Sequence, residues 1–114
     1  MAEDCLFCKI VSGDIPSTKV YEDDRVLAFR DIDPQAPTHV VIVPKKHYDS
    51  ILDVPAGDDI VSAIFTVANQ IAKEQGIAEE GFRIVNNCGE KGGQSVLHLH
   101  FHLLGGRDLQ WPPG

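Results

Sequence analysis

Three histidines alternate with apolar residues near the end of this chain, in the run Val96-Leu-His-Leu-His-Phe-His-Leu-Leu104. Because successive side chains of an extended strand point to opposite faces, this spacing places His98, His100 and His102 on one face of a strand. A helix would scatter them, since two residues correspond to about 200° around its axis. We therefore predict a strand over residues 96–104 with a histidine face. Its reverse face is predicted to be core: Leu97, Leu99, Phe101 and Leu103.

The rest of the chain predicts an α+β fold with an antiparallel sheet. Short runs rich in β-branched and aromatic residues indicate four further strands: 18–22, 25–31, 38–44 and 81–87. Between residues 58 and 75, apolar side chains recur every three or four positions, which is typical of a helix that packs one face on a core. Asp58 or Asp59 suits its start and Gly76 its end. Residues 1–114 are predicted to form one domain.

Charge and cysteine content restrict the partners and the compartment. The net charge of −7 disfavours sequence-independent binding to nucleic acid, although local donors could still hold one phosphate group. No run approaches the roughly 20 apolar residues of a membrane span, and the acidic start, residues 1–4, does not resemble a signal peptide. We expect a cytoplasmic protein without membrane or nucleic-acid partners. Its three cysteines, an odd number, are then expected to be reduced.

The histidine row and the loop before it combine groups that suit phosphate chemistry. Residues 88–95 form a glycine-rich loop, which is either a plain hairpin connection or a cradle whose N–H groups contact an anion, with the hydroxyl of Ser95 at its end. A neutral imidazole can attack phosphorus. His100 is the predicted nucleophile because a neighbour on either side can fix its tautomer. We expect His102 to donate to a phosphate oxygen, and an imidazole or Ser95 to protonate the leaving group.

The spacing of the histidines leaves two other functions open. Alternating histidines on a strand can serve as ligands of a catalytic zinc ion that activates water, which would make the chain a metallohydrolase. The same surface could also belong to a nucleotide-binding interaction module without catalysis. Dependence of activity on a metal distinguishes the first of these from attack by His100.

Several motifs together resemble the histidine triad superfamily, and within it the Hint branch of nucleotide-binding proteins. The histidine row matches the His-x-His-x-His-x-x signature, and four further segments are similar: 31–39, 44–47, 92–95 and 105–114. The resemblance implies a purine nucleoside phosphoramidase, which hydrolyses P–N bonds of adenosine or guanosine 5′-phosphoramidates and related acyl nucleotides through a nucleotidyl-histidine intermediate. It also implies a five-stranded antiparallel sheet with one long helix and a short N-terminal helix.

The resemblance assigns a role to each of four histidines. His100 matches the nucleophile, and His102 matches the histidine that contacts the phosphate. His39 and His98 match supporting histidines that orient the site or relay protons.

The resemblance also implies the nucleotide contacts and the assembly. Asp31 matches a carboxylate that accepts from the ribose hydroxyls, and Ile32 an apolar wall against the base. Phosphate and ribose contacts are implied for three more residues, the last of them also near the leaving group: Asn87, Gly93 and Ser95. Two protomers are expected to pair through helices and central strands into one continuous sheet. Trp111 would then reach toward the partner's site.

A pair of cysteines, Cys5 and Cys8, suggests a metal site. Tetrahedral zinc needs two more ligands, and no second pair of cysteines with this spacing exists, so histidines must supply them. The resemblance to bacterial members that carry the cysteine pair implies His47 and His98 as those ligands. Such a site would be structural, closed by four protein ligands. The alternative is that the thiols bind nothing and Cys8 packs as a small apolar residue.

Overall fold

The computed structural model describes residues 4–114, so Met1–Glu3 of the acidic start lie outside the described residues. Seven helices and strands follow one another along this part of the chain: α1 (Leu6–Ser12), β1 (Lys19–Glu22), β2 (Val26–Arg30), β3 (Thr38–Pro44), α2 (Ile60–Glu74), β4 (Phe82–Asn86) and β5 (Phe101–Gly105). A single turn of 3₁₀ helix, Ile51–Asp53, was not predicted. No helix in the described part of the chain is both apolar and long enough to cross a bilayer.

The five strands form one antiparallel sheet in the order β1-β2-β3-β5-β4. The predicted α+β class, with a five-stranded antiparallel sheet, one long helix and a short N-terminal helix, is confirmed. β3 lies at the centre of the sheet and all seven of its residues are buried. The last strand, β5, inserts between β3 and β4, which brings the end of the histidine row beside His39 on β3.

Helix α2 covers one face of the sheet, as its apolar period predicts. Its buried stripe consists of the expected residues: Ile60, Ile64, Val67, Ala68, Ile71 and Ala72. The carboxylate of Asp58 accepts from the N–H of Ile60 at 2.9 Å and so satisfies one of the free donors of the first turn. Gly76 follows the helix with φ 76°, a conformation that ends helices and favours glycine.

Helix α1 covers the opposite face, over the residues of β2 and β3 that point away from α2. Phe7 and Ile10 of α1 pack there in a second, smaller core with four strand residues: Leu27, Phe29, Val41 and Val43. Buried apolar residues on both faces fix the position of the sheet. The imidazoles of the histidine row lie on the α1 side.

The predicted strand over residues 96–104 is wrong in its first half, because β5 begins only at Phe101. Continuing the β3–β5 register would place Leu99 opposite Pro44, which has no N–H to donate. The N–H of Leu99 instead donates to the carbonyl of Tyr48 at 2.7 Å. Leu97, predicted as core, is consequently 68% exposed, whereas Leu99, Phe101 and Leu103 are buried against α2 as expected.

Candidate active site and metal cluster

His100 lies just before β5 with its ring buried and its tautomer fixed. Nδ1 is 2.7 Å from the main-chain carbonyl of His98, and because a carbonyl only accepts, Nδ1 carries the proton. Burial lowers the pKa of His100 below its usual value and outweighs the opposing effect of this hydrogen bond. The ring is therefore neutral near pH 7, with an unprotonated Nε2 as its free atom. That is the state in which an imidazole attacks an electrophile.

His102, on β5, has its tautomer fixed by a chain of two hydrogen bonds. The N–H of Gln35 donates to Nδ1 of His39 at 3.0 Å, so the proton of the neutral His39 ring is on Nε2. That Nε2 is 2.9 Å from Nδ1 of His102 and donates to it. The proton of His102 is consequently on its own Nε2, where it remains available to a ligand. The main chain of Gln35, in the loop 33–37, thus fixes the position of the proton on His102 of β5 through two hydrogen bonds.

Electrostatics keep both of these rings uncharged. Burial is the main cause that lowers the pKa of His102 to about 4, and the neighbouring rings of His100 and His39 contribute. Burial also lowers the pKa of His39, against the raising effect of Asp31, whose carboxylate lies 3.4 Å from Nε2 of His39. A cationic triad is therefore disfavoured at neutral pH.

A cavity of about 750 Å³ opens in front of His100 and His102, within the size range of small-molecule sites. The sequence-predicted residues Asp31, Ile32 and Ser95 line it together with these two histidines. Its apolar wall comes from residues that the sequence analysis did not assign to a site: Leu6, Phe7, Ile10, Ile15, Phe29 and Val41. Their sequence pattern resembles ordinary core, and only the position of α1 over the sheet turns them toward a cavity.

Three of the predicted nucleotide contacts lie outside this cavity. Asn87 directly follows β4, and Gly93 lies in the glycine-rich loop with φ 82°. Trp111 is 81% exposed near the chain end. The contacts implied for these residues remain predictions, and that of Trp111 depends on a second protomer.

The glycine-rich loop is tightly closed just before Ser95. The side chain of Gln94 accepts from the N–H of Gly89 at 3.0 Å and donates to the carbonyls of Asp49 and Val96 at 2.6 and 3.0 Å. Gly92 fits because it has no side chain, since a Cβ there would lie 2.2 Å from the carbonyl oxygen of Cys88. These contacts hold Ser95 at the mouth of the cavity.

The four residues predicted as metal ligands converge on one point. Cys5 and Cys8 at the start of α1 meet His47, after β3, and His98, and their ligand atoms all lie within 4.8 Å of one another. The distances to Nδ1 of His98 are 3.3 Å from Cys5 Sγ, 3.4 Å from Cys8 Sγ and 3.1 Å from Nδ1 of His47. We call this set the Cys2His2 cluster.

The donor atoms of the Cys2His2 cluster fit a tetrahedral metal ion. Nε2 of His98 is 2.8 Å from the carbonyl of Pro44, and Nε2 of His47 is 2.7 Å from the carboxylate of Asp49. These acceptors take the ring protons, so both Nδ1 lone pairs face the centre of the cluster. A zinc tetrahedron has edges of about 3.3 Å between two nitrogens and about 3.6 Å between sulfur and nitrogen. The observed separations are close to these values.

His98 was predicted both to relay protons and to bind a metal, and its position in the cluster favours the second role. Both of its ring nitrogens are engaged, with Pro44 and with the cluster, so the ring has no free nitrogen to relay protons at the cavity. Its main chain orients His100 instead. His98 belongs to the Cys2His2 cluster, whereas His102 lies in a separate group with Asp31 and His39, so the three histidines of the row do not share one metal site.

Comparison with known proteins places the chain in a family. The HIT domain family model matches residues 12–109, so this protein belongs to the HIT family. It is 50% identical to the purine nucleoside phosphoramidase of Escherichia coli (strain K12), over 96% of this chain and 92% of that one. It is also 50% identical to the 14 kDa zinc-binding protein of Brassica juncea, over 97% of this chain and all of that one.

A solved structure shows the same fold. The histidine triad protein from Clostridium difficile superposes with a TM-score of 0.91 and is 62% identical, covering 94% of each chain. At this identity the backbone arrangement described above is shared by the two proteins.

Proposed function

We propose that this protein hydrolyses the P–N bond of purine nucleoside 5′-phosphoramidates through a nucleotidyl intermediate on His100. The observation that carries the proposal is the hydrogen bond from His100 Nδ1 to the carbonyl of His98, because it leaves Nε2 unprotonated beside the cavity. The 50% identity to a purine nucleoside phosphoramidase supports both the reaction and the purine base.

In the first step, Nε2 of His100 attacks phosphorus and the bond from phosphorus to the leaving nitrogen breaks. The leaving amine takes up a proton, which Nε2 of His102 or the hydroxyl of Ser95 can supply at the mouth of the cavity. In the second step, water attacks phosphorus, the bond to His100 breaks, and a nucleoside 5′-monophosphate is released. A proton from that water restores the donor used in the first step.

The cavity suits the nucleoside part of both the substrate and the product. Asp31 lies at its polar side as an acceptor for ribose hydroxyls, while Phe7, Phe29 and Ile32 offer apolar surface to a base. Donors available to the phosphate are the Nε2–H of His102 and the N–H groups near Ser95, and the cavity lining also includes the cationic Arg30.

The reaction is tested by incubating the protein with adenosine 5′-phosphoramidate in water enriched in ¹⁸O and identifying the products by mass spectrometry. We expect ammonia and adenosine 5′-monophosphate with one ¹⁸O on phosphorus. The same assay with the guanosine and cytidine analogues measures base preference. Binding of adenosine 5′-monophosphate without any turnover would favour the interaction-module alternative and contradict the proposal.

We also propose that the Cys2His2 cluster holds a structural zinc ion. The name of the 14 kDa zinc-binding relative supports this, as does the match of the donor atoms to a tetrahedron. Four protein ligands would close the site, so the ion would stabilise the fold without meeting the substrate. Metal analysis of the purified chain should give one zinc per protomer, and Cys8→Ser should lower that ratio.

A homodimer is the proposed assembly. β4 is an edge strand whose five residues are all half-buried, and Phe65 on the neighbouring face of α2 is 43% exposed. Pairing of two β4 edges would continue the sheet and cover this apolar surface. Light scattering during gel filtration should give twice the mass of the chain. Ile84→Pro, at a β4 position whose N–H points to the free edge and not to β5, should give the monomer.

A further inference from the structure

Helix α1 lies between the Cys2His2 cluster and the cavity and belongs to both. Cys5 and Cys8 flank its first turn, and between them Leu6 and Phe7 face the cavity. A helix of seven residues is too short to be stable by itself, so its position depends on the contacts of its ends and of its buried face. Interactions that fix Cys5 and Cys8 therefore also fix Leu6 and Phe7 in the wall of the cavity.

Phe7 connects the two sites through its ring. It packs edge to face on His100, with ring centroids 4.9 Å apart and planes at 84°. It packs in the same way on His98, with ring centroids 6.1 Å apart. It is 8% exposed, and its third aromatic neighbour is Phe29 of β2. One side chain thus touches a member of the Cys2His2 cluster, the nucleophile and the wall of the cavity.

A second connection runs through the main chain. The carbonyl that fixes the His100 proton belongs to His98, whose ring is a member of the cluster. Without a cation, the cysteines meet the histidines of the cluster through weak sulfur contacts of 3.2–3.4 Å, and the two Nδ1 lone pairs of His47 and His98 face each other at 3.1 Å. The first turn of α1 then depends on these contacts and on the packing of its buried face.

We propose that metal occupancy of the Cys2His2 cluster and nucleotide occupancy of the cavity are energetically coupled, with Phe7 as the positioning residue that transmits the coupling. This inference rests on the proposed nucleotide and zinc sites. Linkage requires the effect to be reciprocal, so zinc raises the affinity for nucleotide by the same factor by which nucleotide raises the affinity for zinc. A factor of at least about fivefold is expected, the lower end of measured couplings.

The coupling is measured by calorimetric titration of adenosine 5′-monophosphate into the full chain, once loaded with zinc and once after chelation. Circular dichroism confirms that both forms are folded. The reciprocal factor comes from zinc titrations against a competing chelator, with and without saturating adenosine 5′-monophosphate. Equal nucleotide affinities in the two forms would overturn the proposal.

A matched pair of variants tests the role of Phe7. Phe7→Leu removes the ring that contacts His98 and His100, while Phe29→Leu makes the same change in the same cavity on β2. We expect both to weaken nucleotide binding, but only Phe7→Leu to lower the coupling factor while still binding zinc, since the main-chain connection through His98 remains. Full coupling in Phe7→Leu would overturn the assignment.

If chelation unfolds the chain, the rate of zinc release replaces the calorimetric comparison. Release of zinc from the folded, loaded protein to an excess of chelator is timed with and without saturating adenosine 5′-monophosphate. The nucleotide should slow release equally in the wild type and in Phe29→Leu, and slow it less in Phe7→Leu. Absence of zinc binding or of nucleotide binding in these titrations also overturns the proposal. The ligand that does not bind shows whether the proposed zinc site or the proposed nucleotide site is wrong.

Discussion

Nδ1 of His100 donates to the main-chain carbonyl of His98 at 2.7 Å, so a member of the Cys2His2 cluster fixes the proton position of the proposed nucleophile. The alternating histidines therefore present different groups. His98 orients, His100 presents an unprotonated nitrogen, and His102 presents a proton because His39 donates to its other nitrogen.

His100→Ala should lower kcat for adenosine 5′-phosphoramidate by at least about 10³-fold. No other ring in the described part of the chain presents an unprotonated nitrogen to the cavity. The fold should persist, since the change removes one buried ring and leaves the Cys2His2 cluster intact. Steady-state kinetics and circular dichroism test this. Turnover within tenfold of the wild type would contradict the assignment of His100.

The acid limb of the pH profile of kcat/KM should have its midpoint below the ordinary histidine value of 6.5. Burial lowers the pKa of His100, so its ring stays neutral and nucleophilic into mildly acidic solution. Initial rates between pH 4 and 8 measure the midpoint. A midpoint above 6.5 would mean that the attacking group titrates as a stabilised cation, which this geometry does not allow.

Stability should fall as the pH drops from about 6.5 toward 4. The pKa of His102 is about 4 in the folded protein, below its unfolded value of 6.5, so the unfolded chain binds more protons in this window. The stability contribution is complete above 6.5 and is lost as the pH falls toward 4. Urea unfolding at a series of pH values tests this, and a free energy of unfolding that does not fall between pH 6.5 and 5 would disagree.

Gly92→Ala should lower both thermal stability and activity. The new Cβ would lie 2.2 Å from the carbonyl oxygen of Cys88, so the loop must move and take Ser95 with it. We expect a loss of about 1–3 kcal/mol in the free energy of unfolding, as for other overpacked sites. Lys91→Ala, an exposed position in the same loop, is the control and should change neither property. Equal effects of the two substitutions would show that the contact with Cys88 is unimportant.

Patterns with a clear period predicted most of the fold. The stripe of α2 and the alternation around Leu99, Phe101 and Leu103 identified buried residues correctly, because burial depends on which face a side chain occupies. The start of β5 could not be predicted in this way. It depends on the absent N–H of Pro44 lying opposite in the sheet, which only the register shows.

The sequence predicted the histidines, Asp31, Ile32 and Ser95 of the cavity, but not most of its apolar wall or three further polar residues, Ser17, Thr18 and Arg30. Cysteine and histidine carry recognisable chemistry, so the Cys2His2 cluster followed from spacing and resemblance. Phe7 and Phe29 could not be distinguished from core residues in the sequence, because apolar side chains are typical of both a core and a ligand-binding wall. The donor that fixes His39 is the main-chain N–H of Gln35, a group that every residue except proline possesses and that therefore leaves no sequence signal.

The most direct measurement of the central claim is the intact mass of the protein after mixing with adenosine 5′-phosphoramidate. His102→Asn is used because its amide oxygen can still accept from His39, while the proton at Nε2 is lost and the reaction slows. The account predicts a mass increase of one adenylyl group, mapped by peptide sequencing to His100 and missing from the double variant with His100→Ala. An adduct on any other residue, or turnover by His100→Ala at the wild-type rate, would contradict it.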